Sequence, residues 1–379
     1  MSLARFFSTE TGARPLGVAR AAVGIAVLIR AAIQYELLRL LLDGYVIRAK
    51  QFPWLPDLPA AWLPAFVVIW LLLALSFAVG YRTRLCGSLL VVIFAYQLIL
   101  DENLQWSNFY FMMLTILLLT VADSGRAFSV DRWLARQGTE QVARWCTLLP
   151  RLQLSIVYLY SALLKLNPRF LAGEAIERAT RLPEFLHGGW FPPAAAAATT
   201  GIEFFVSFGL WVPALRPVAF FLGFSLHTAI FFGMDRAHTA TMFTFGLNML
   251  APYVLFLEQA PASRLIIWDD NCSFCRRWIA FFRAFDWLAI HRFEGSGNPD
   301  ALREAGVTPQ GADLELKLAF DGRTLGGFDA VREVLCVLPI SFLWAPLLAM
   351  PPLPWIGRRL YRRVAEHRQC TNNAIPVTR

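Results

Sequence analysis

Long apolar runs broken by short polar connections fill the first two thirds of the chain, and a mixed, alternating pattern fills the rest. A helix that crosses a membrane needs about 20 mostly apolar residues. By that measure eight segments are candidate spans: 16–42, 60–80, 85–100, 107–122, 148–166, 199–214, 217–234 and 240–257. Residues 128–145, "FSVDRWLARQGTEQVARW", are amphipathic and predicted to lie along the membrane surface. Past residue 258 the periods change. "RLIIW" at 264–268 predicts a buried strand, 273–285 a helix, 288–295 a second strand, and 314–327 a hairpin turning at Asp321-Gly322. Helices are predicted at 328–338, 340–350 and 354–368. The expected fold class is thus a multi-span α-helical membrane bundle of about eight transmembrane helices, residues 1–258, followed by a thioredoxin-like α/β domain, residues 259–379.

Composition supports that division. Hydrophobic residues make up 57% of the chain and charged residues only 16%, against about 25% charged in soluble domains. The net charge of +8 is explained by arginines between spans and a basic surface facing anionic lipid, and no nucleic-acid motif accompanies it. The polar start "MSLARFFSTETGARP" leads into an apolar run without a small-residue cleavage site, so the first span is expected to be retained. Placing the N-terminus inside puts Arg5, Arg14, Arg82, Arg84, Arg126, Arg132, Arg136, Arg144 and Arg216 in inner connections. An even number of spans then leaves both the N-terminus and the C-terminal domain in the cytoplasm, with Lys165 near the outer face.

Charges at membrane depth are costly and tend to face a bundle interior or a cavity. Candidate spans carry Arg20, Arg30, Gln34, Glu36, Glu203, Ser207 and His227. In "LQLSIVYLYSALLKLNPRF", Leu152 to Phe170, the side chains of Tyr158, Ser161 and Lys165 fall within about 60° of one another on one helix face. Lys165 has two readings. It is a lysine snorkelling from a helix end, or a desolvated amine able to act as a base. His227 is either an interhelical hydrogen-bonding residue or part of the same site. Lys165 could also simply pair with Glu36 or Glu203.

The second centre is "WDDNCSFCRRW", Trp268 to Trp278. A strand, a turn and a helix would place Cys272 at a helix N-terminus, where the dipole with Arg276 and Arg277 favours a thiolate. Cys275, within the first turn, is close enough to resolve a mixed disulfide. A structural zinc needs four ligands. No second cysteine pair exists, and Cys336 and Cys370 are isolated, so no metal is expected.

The ordered strings "GYRTRL" (80–85), "LDENLQWSNFYF" (100–111), "FSVDRWL" (128–134), "QLSIVYLYSALLKLNPRFLAGEA" (153–175) and "FSLHTAIFFGM" (224–234) resemble the membrane domain of the vitamin K-dependent γ-carboxylase and its bacterial relatives, the HTTM-domain proteins. The resemblance covers roughly residues 10–258. It implies that Lys165 is a base acting on a quinone or hydroquinone, that Tyr158, Ser161, His227, Asn108 and Arg20 bind substrate, and that the setting is a bacterial inner membrane. Where the family has "WNNH" this chain has Trp106-Ser107-Asn108-Phe109. The assisting histidine is replaced by Phe109, and no large substrate-docking domain is evident, so protein γ-carboxylation is not expected.

Residues 264–370 resemble the DCC family of thiol–disulfide oxidoreductase-like proteins through Asp269-Asp270-Asn271-Cys272-Ser273-Phe274-Cys275, "GGFDA" at 326–330 and "YRRVAEHR" at 361–368. The usual "DGDC" is "DDNC" here. That resemblance implies a redox-active Cys272–Cys275 disulfide, Cys272 as nucleophile, and Asp269 tuning the thiols or moving a proton. The combined expectation is an integral membrane oxidoreductase. It joins a carboxylase-like membrane site for a quinone or other apolar substrate to a thiol-exchange domain, with lipids and a thiol or disulfide partner (a protein or a small thiol). The alternative is an accessory peptide- or protein-maturation or immunity protein of the membrane without quinone chemistry.

Overall fold

The computed structural model describes residues 3–367 except 41–42, 44–46, 48–51, 53, 106, 137, 180–182, 235–238 and 258–262. The expected boundary at 258/259, Trp106, Cys370 and the end of "YRRVAEHR" lie outside the described residues. The chain forms two compact units, residues 1–212 with 222–256, and 213–221 with 257–379.

The longer helices of the first part are α1 (Arg14–Leu40), α2 (Leu63–Val79), α3 (Thr83–Leu100), α4 (Ser107–Val121), α5 (Trp145–Lys165), α6 (Phe191–Gly209), α7 (Arg216–Gly233) and α8 (Thr239–Leu250), the last continued by a 3-10 helix, Ala251–Phe256. Each expected span overlaps one of these helices, but the helix expected over 199–214 lies earlier, over Phe191–Gly209. Six stretches are long and apolar enough to cross a membrane: Arg14–Leu40, Ala60–Val79, Thr83–Leu100, Trp145–Lys165, Arg216–Gly233 and Thr239–Phe256. The apolar part of α4, Asn108–Val121, is shorter. α6 has 19 residues but includes Pro192, Pro193 and Glu203, which lower its apolarity.

The helices are apolar outside as well as inside. On α2, Trp70, Ala74 and Phe77 are buried while Val68, Ile69 and Leu72 are exposed. Exposed apolar faces of this extent suit lipid rather than water. α1 and α2 approach closely because Gly24 faces Ala78, where an added Cβ would lie 2.6 Å from the alanine methyl carbon. Small residues permit such approaches between membrane helices.

The segment 128–145 is not one amphipathic helix. Ser129 caps a short helix, Val130–Ala135, by accepting from the Arg132 N–H, and the positive φ of Arg136 and Gly138 ends it. Residues Gln141–Ala143 (β2) then pair antiparallel with Glu10–Gly12 (β1).

In the second part, β3 (Arg264–Trp268), β4 (His291–Gly295), β5 (Lys317–Phe320) and β6 (Arg323–Gly326) form a sheet of order β4-β3-β5-β6. β3 and β4 are parallel, and the other pairings are antiparallel. α9 (Ser273–Phe285) joins the parallel pair, as parallel strands require a crossover. α10 (Pro299–Ala305) and α11 (Pro309–Leu314) follow β4, and α12 (Gly327–Leu335) and α13 (Leu353–His367) follow β6. The β5–β6 turn has positive φ at both Asp321 and Gly322, the backbone that a tight two-residue hairpin demands. A helix expected over 340–350 is reduced to a 3-10 stretch, Ala345–Ala349.

β3 is apolar from Leu265 to Trp268 because both its faces are covered there. Ile266 and Trp268 pack with Leu318, Phe320, Ile279, Phe282 and Val334. Leu265 and Ile267 pack with Ala301, Leu302, Ala305 and Ala312. At the end of α9 the buried Asp286 carboxylate accepts the N–H groups of Ile290 (3.1 Å) and His291 (2.9 Å), which ties the helix to β4.

Candidate functional site

Two sets of reactive side chains are present, one per unit. The first is held by helices far apart in sequence. The period of α5 brings Tyr158, Ser161 and Lys165 onto one face. The Lys165 ammonium donates to Glu203 Oε2 at 2.7 Å, Glu203 Oε1 at 2.9 Å and Ser161 Oγ at 2.5 Å. Ser161 Oγ donates to Glu203 Oε1 at 3.1 Å. The Lys165 amine also lies 5.7 Å from the centre of the Phe170 ring. The pair is shielded but open at one end, with the Lys165 side chain 23% exposed and that of Glu203 10%.

One turn away, Tyr253 donates to the Tyr158 hydroxyl at 2.8 Å, and Tyr158 lies 2.7 Å from His227 Nε2. The Tyr158 hydroxyl thus bridges Tyr253 and His227, and its role toward Nε2, donor or acceptor, follows the tautomer of the imidazole. His227 Nδ1 is buried without a hydrogen-bond partner, beside the Phe245 ring. Gly223 makes room for the chain: a Cβ there would fall 1.9 Å from the Tyr253 hydroxyl oxygen.

Lys165, Ser161, Tyr158 and His227 are therefore brought into two adjacent hydrogen-bonded sets. Arg20 is not. It is buried, and its guanidinium donates to the carbonyls of Ser124 (2.6 Å), Phe128 (2.5 Å), Ala127 (3.3 Å) and Ala78 (3.5 Å). These bonds pin the loops at its end of the bundle. Asn108 is half-buried with its Oδ1 unpartnered. Phe109, in the place of the family histidine, is buried against Phe94 with the Arg30 guanidinium 5.3 Å from its ring centre. Glu203 and Tyr253 are the members that sequence reading did not assign to the site. Glu203 was visible as a charge inside a span, whereas Tyr253 is a lone hydroxyl in the apolar string "APYVLF" with no pattern to mark it.

The second set is local. β3 ends at Trp268, and Asp269 folds the next residues by accepting the Asn271 N–H on Oδ1 (3.0 Å) and the Cys272 N–H on its carbonyl (3.3 Å). Cys272 is the N-cap of α9 and accepts the Arg276 N–H on its carbonyl at 3.0 Å. A carboxylate oxygen of Asp269 and the sulfurs of Cys272 and Cys275 all lie within 4.8 Å of one another. Cys272 and Cys275 are close together but not joined by a disulfide in this structure.

Cys272 is wholly buried and Cys275 is partly exposed. Asp270, where glycine is usual, does not need a left-handed backbone, since it is absent from the positive-φ residues. Its carboxylate fits because Gly295 has no side chain, and a Cβ there would meet Asp270 Oδ2 at 2.2 Å. Arg276 and Arg277 are exposed, and Arg276 turns back to the Asp270 carbonyl at 3.2 Å. Burial pushes the Cys336 thiol up to about 12, which disfavours its thiolate.

Apolar helices with lipid-suited faces, followed by an α/β unit that presents a dithiol at a helix N-terminus, define an integral membrane protein with a redox domain. The chain belongs to the HTTM family, whose domain matches residues 9–260. Residues 266–373 match the DCC1-like thiol-disulfide oxidoreductase domain. No solved structure matches the chain.

Proposed function

We propose that the protein is a membrane-embedded thiol–disulfide oxidoreductase. The observation that carries this reading is the Asp269–Cys272–Cys275 cluster, with all three donor atoms within 4.8 Å at the head of α9. Cys272 and Cys275 form the redox couple, and Asp269 is placed to take a thiol proton. A thioredoxin-like assignment for residues 259–379 is supported by the order β4-β3-β5-β6, with a parallel pair bridged by the dithiol helix and an antiparallel hairpin beyond it. Residues 1–258 cross a bacterial inner membrane eight times, with α4 and α6 added to the six long apolar stretches. The N-terminus and the dithiol domain are cytoplasmic.

In the bundle, Lys165, Ser161 and Glu203, with Tyr158, His227 and Tyr253 a turn away, offer a polar site to a quinone or another apolar substrate. An amine held by both oxygens of a carboxylate must open that pairing, or pass its proton to Glu203, before it can act as a base. The pairing itself favours a second reading. In it the bundle binds a peptide or lipid without turnover, and the dithiol serves a partner in maturation or immunity.

Purified protein, reduced and then mixed with a quinone, separates the two. The first reading expects one hydroquinone formed per Cys272–Cys275 disulfide, and a slower reaction for Lys165→Ala. Exchange with disulfides but no response to quinone selects the second. Inertness of the dithiol toward both would overturn the oxidoreductase assignment.

A further inference from the structure

A cavity of about 290 Å³ opens beside the dithiol, between α9 and α13. Its wall includes Cys275, Trp268, Phe274, Trp278, Phe328 and Tyr361. We infer that this cleft is a binding site for a neutral aromatic disulfide, and that Cys275, not Cys272, is the thiol that attacks it. The inference rests on the thiol-exchange reading above and adds a substrate class and an order of attack to it.

Three features support it. Cys275 belongs to the cleft wall, whereas Cys272 is 0% exposed. Exchange needs the attacking sulfur to reach a disulfide sulfur, and an incoming molecule has no path to Cys272 without movement of the protein. The rest of the wall is largely apolar, with six aromatic side chains among aliphatic ones. Its polar groups are few, and the Tyr361 hydroxyl already accepts the Leu316 N–H at 3.0 Å. A small apolar space with few polar groups selects a ring rather than a charged tripeptide or an extended chain. Finally, Asp269 also belongs to the wall and is close to both sulfurs, so a proton acceptor is present where the second thiol must ionise.

The Cys275 thiolate attacks one sulfur of the aryl disulfide. The sulfur–sulfur bond breaks, and the first aryl thiolate leaves, taking up the proton that Cys275 gave. Cys272 passes its proton to Asp269 and attacks the Cys275 sulfur of the mixed disulfide. A Cys272–Cys275 bond forms, and the second aryl thiol leaves with that proton. The substrate gains two electrons and two protons, and the dithiol loses both.

The experiment uses the full chain in detergent, with the other four cysteines replaced by alanine. The probes are 4,4′-dithiodipyridine and the small polar bis(2-hydroxyethyl) disulfide. Cys272→Ser should release one thiopyridone and hold a pyridyl adduct on Cys275 by intact mass, while Cys275→Ser should lose the fast reaction. Ala365→Trp, at the lip of the cleft, should slow dithiodipyridine about tenfold, the worth of one ring's apolar burial, and leave the polar disulfide unchanged. An adduct forming on Cys272 of Cys275→Ser at the parent rate would overturn the order of attack. Equal effects of Ala365→Trp on both probes would overturn the cleft as a binding site while leaving thiol exchange standing. No reaction of the parent dithiol with either probe would overturn both this inference and the oxidoreductase reading.

Discussion

The two reactive clusters are built in opposite ways. In the bundle, Lys165 meets a carboxylate 38 residues away, and Tyr158 meets partners 69 and 95 residues away. Each polar group there depends on helices packing correctly, and in return the set is almost fully hydrogen-bonded. In the C-terminal unit, Asp269, Cys272 and Cys275 fall within seven consecutive residues and are positioned by one turn and one helix start. A site made locally keeps its geometry with little outside help. A site made by distant helices must satisfy its charges to exist in an apolar medium. Reactivity is thus expected to reside in the dithiol and structural sensitivity in the bundle.

The sharpest break of that contrast is Cys275→Ser or Cys272→Ser. Either should abolish catalytic disulfide exchange, read as turnover with a disulfide substrate, and leave the thermal midpoint of the protein in detergent nearly unchanged. Next in size is Glu203→Gln, which strips Lys165 of its counter-charge. It should destabilise the bundle by about 1–3 kcal/mol, less than a fully buried pair loses because Lys165 is partly exposed. The double variant Lys165→Met with Glu203→Gln should recover much of that loss in unfolding measurements.

Smaller again is Tyr253→Phe, which removes one buried hydrogen bond at a cost of about 1 kcal/mol. Gly223→Ala should cost more than Tyr253→Phe, because it displaces the ring as well. The smallest effect is in acid. Burial alone would raise the Asp286 carboxyl, but the His291 ring, with Nδ1 3.3 Å from Oδ2, and the backbone N–H groups of His291 and Ile290 hold it below the ordinary 3.8. Its stabilising contribution is therefore complete above about pH 3.8 and disappears as pH falls through the lowered value. Asp286→Asn should flatten that part of the stability curve of the C-terminal unit and no other.

The same contrast explains what could be read from sequence. Helix 273–285, strand 264–268 and the Asp321-Gly322 turn are fixed by neighbours a few residues away, and the sequence reading located all three. The polar face of α5 was legible because helical period alone aligns Tyr158, Ser161 and Lys165. The acceptor for Lys165 was only one of two candidates, Glu36 and Glu203, since choosing between them requires knowing which helices touch. The pairing of residues 10–12 with 141–143 joins three-residue strands across most of the bundle, too short for any alternation to register. Arg20 was expected at the substrate because family position suggested it. Its role as an anchor for backbone carbonyls depends on loops whose course no local pattern reveals. The room for the Asp270 carboxylate, where glycine is usual, comes from Gly295 on the neighbouring strand, a contact that no local pattern shows.

The most direct measurement is a redox titration of the full-length protein in detergent, with the state of Cys272 and Cys275 followed by peptide mass. The account predicts one intramolecular Cys272–Cys275 disulfide that forms and breaks reversibly as a two-electron couple, shifting tenfold per roughly 30 mV. Two thiols that stay reduced throughout, or that form only separate mixed disulfides, would contradict it.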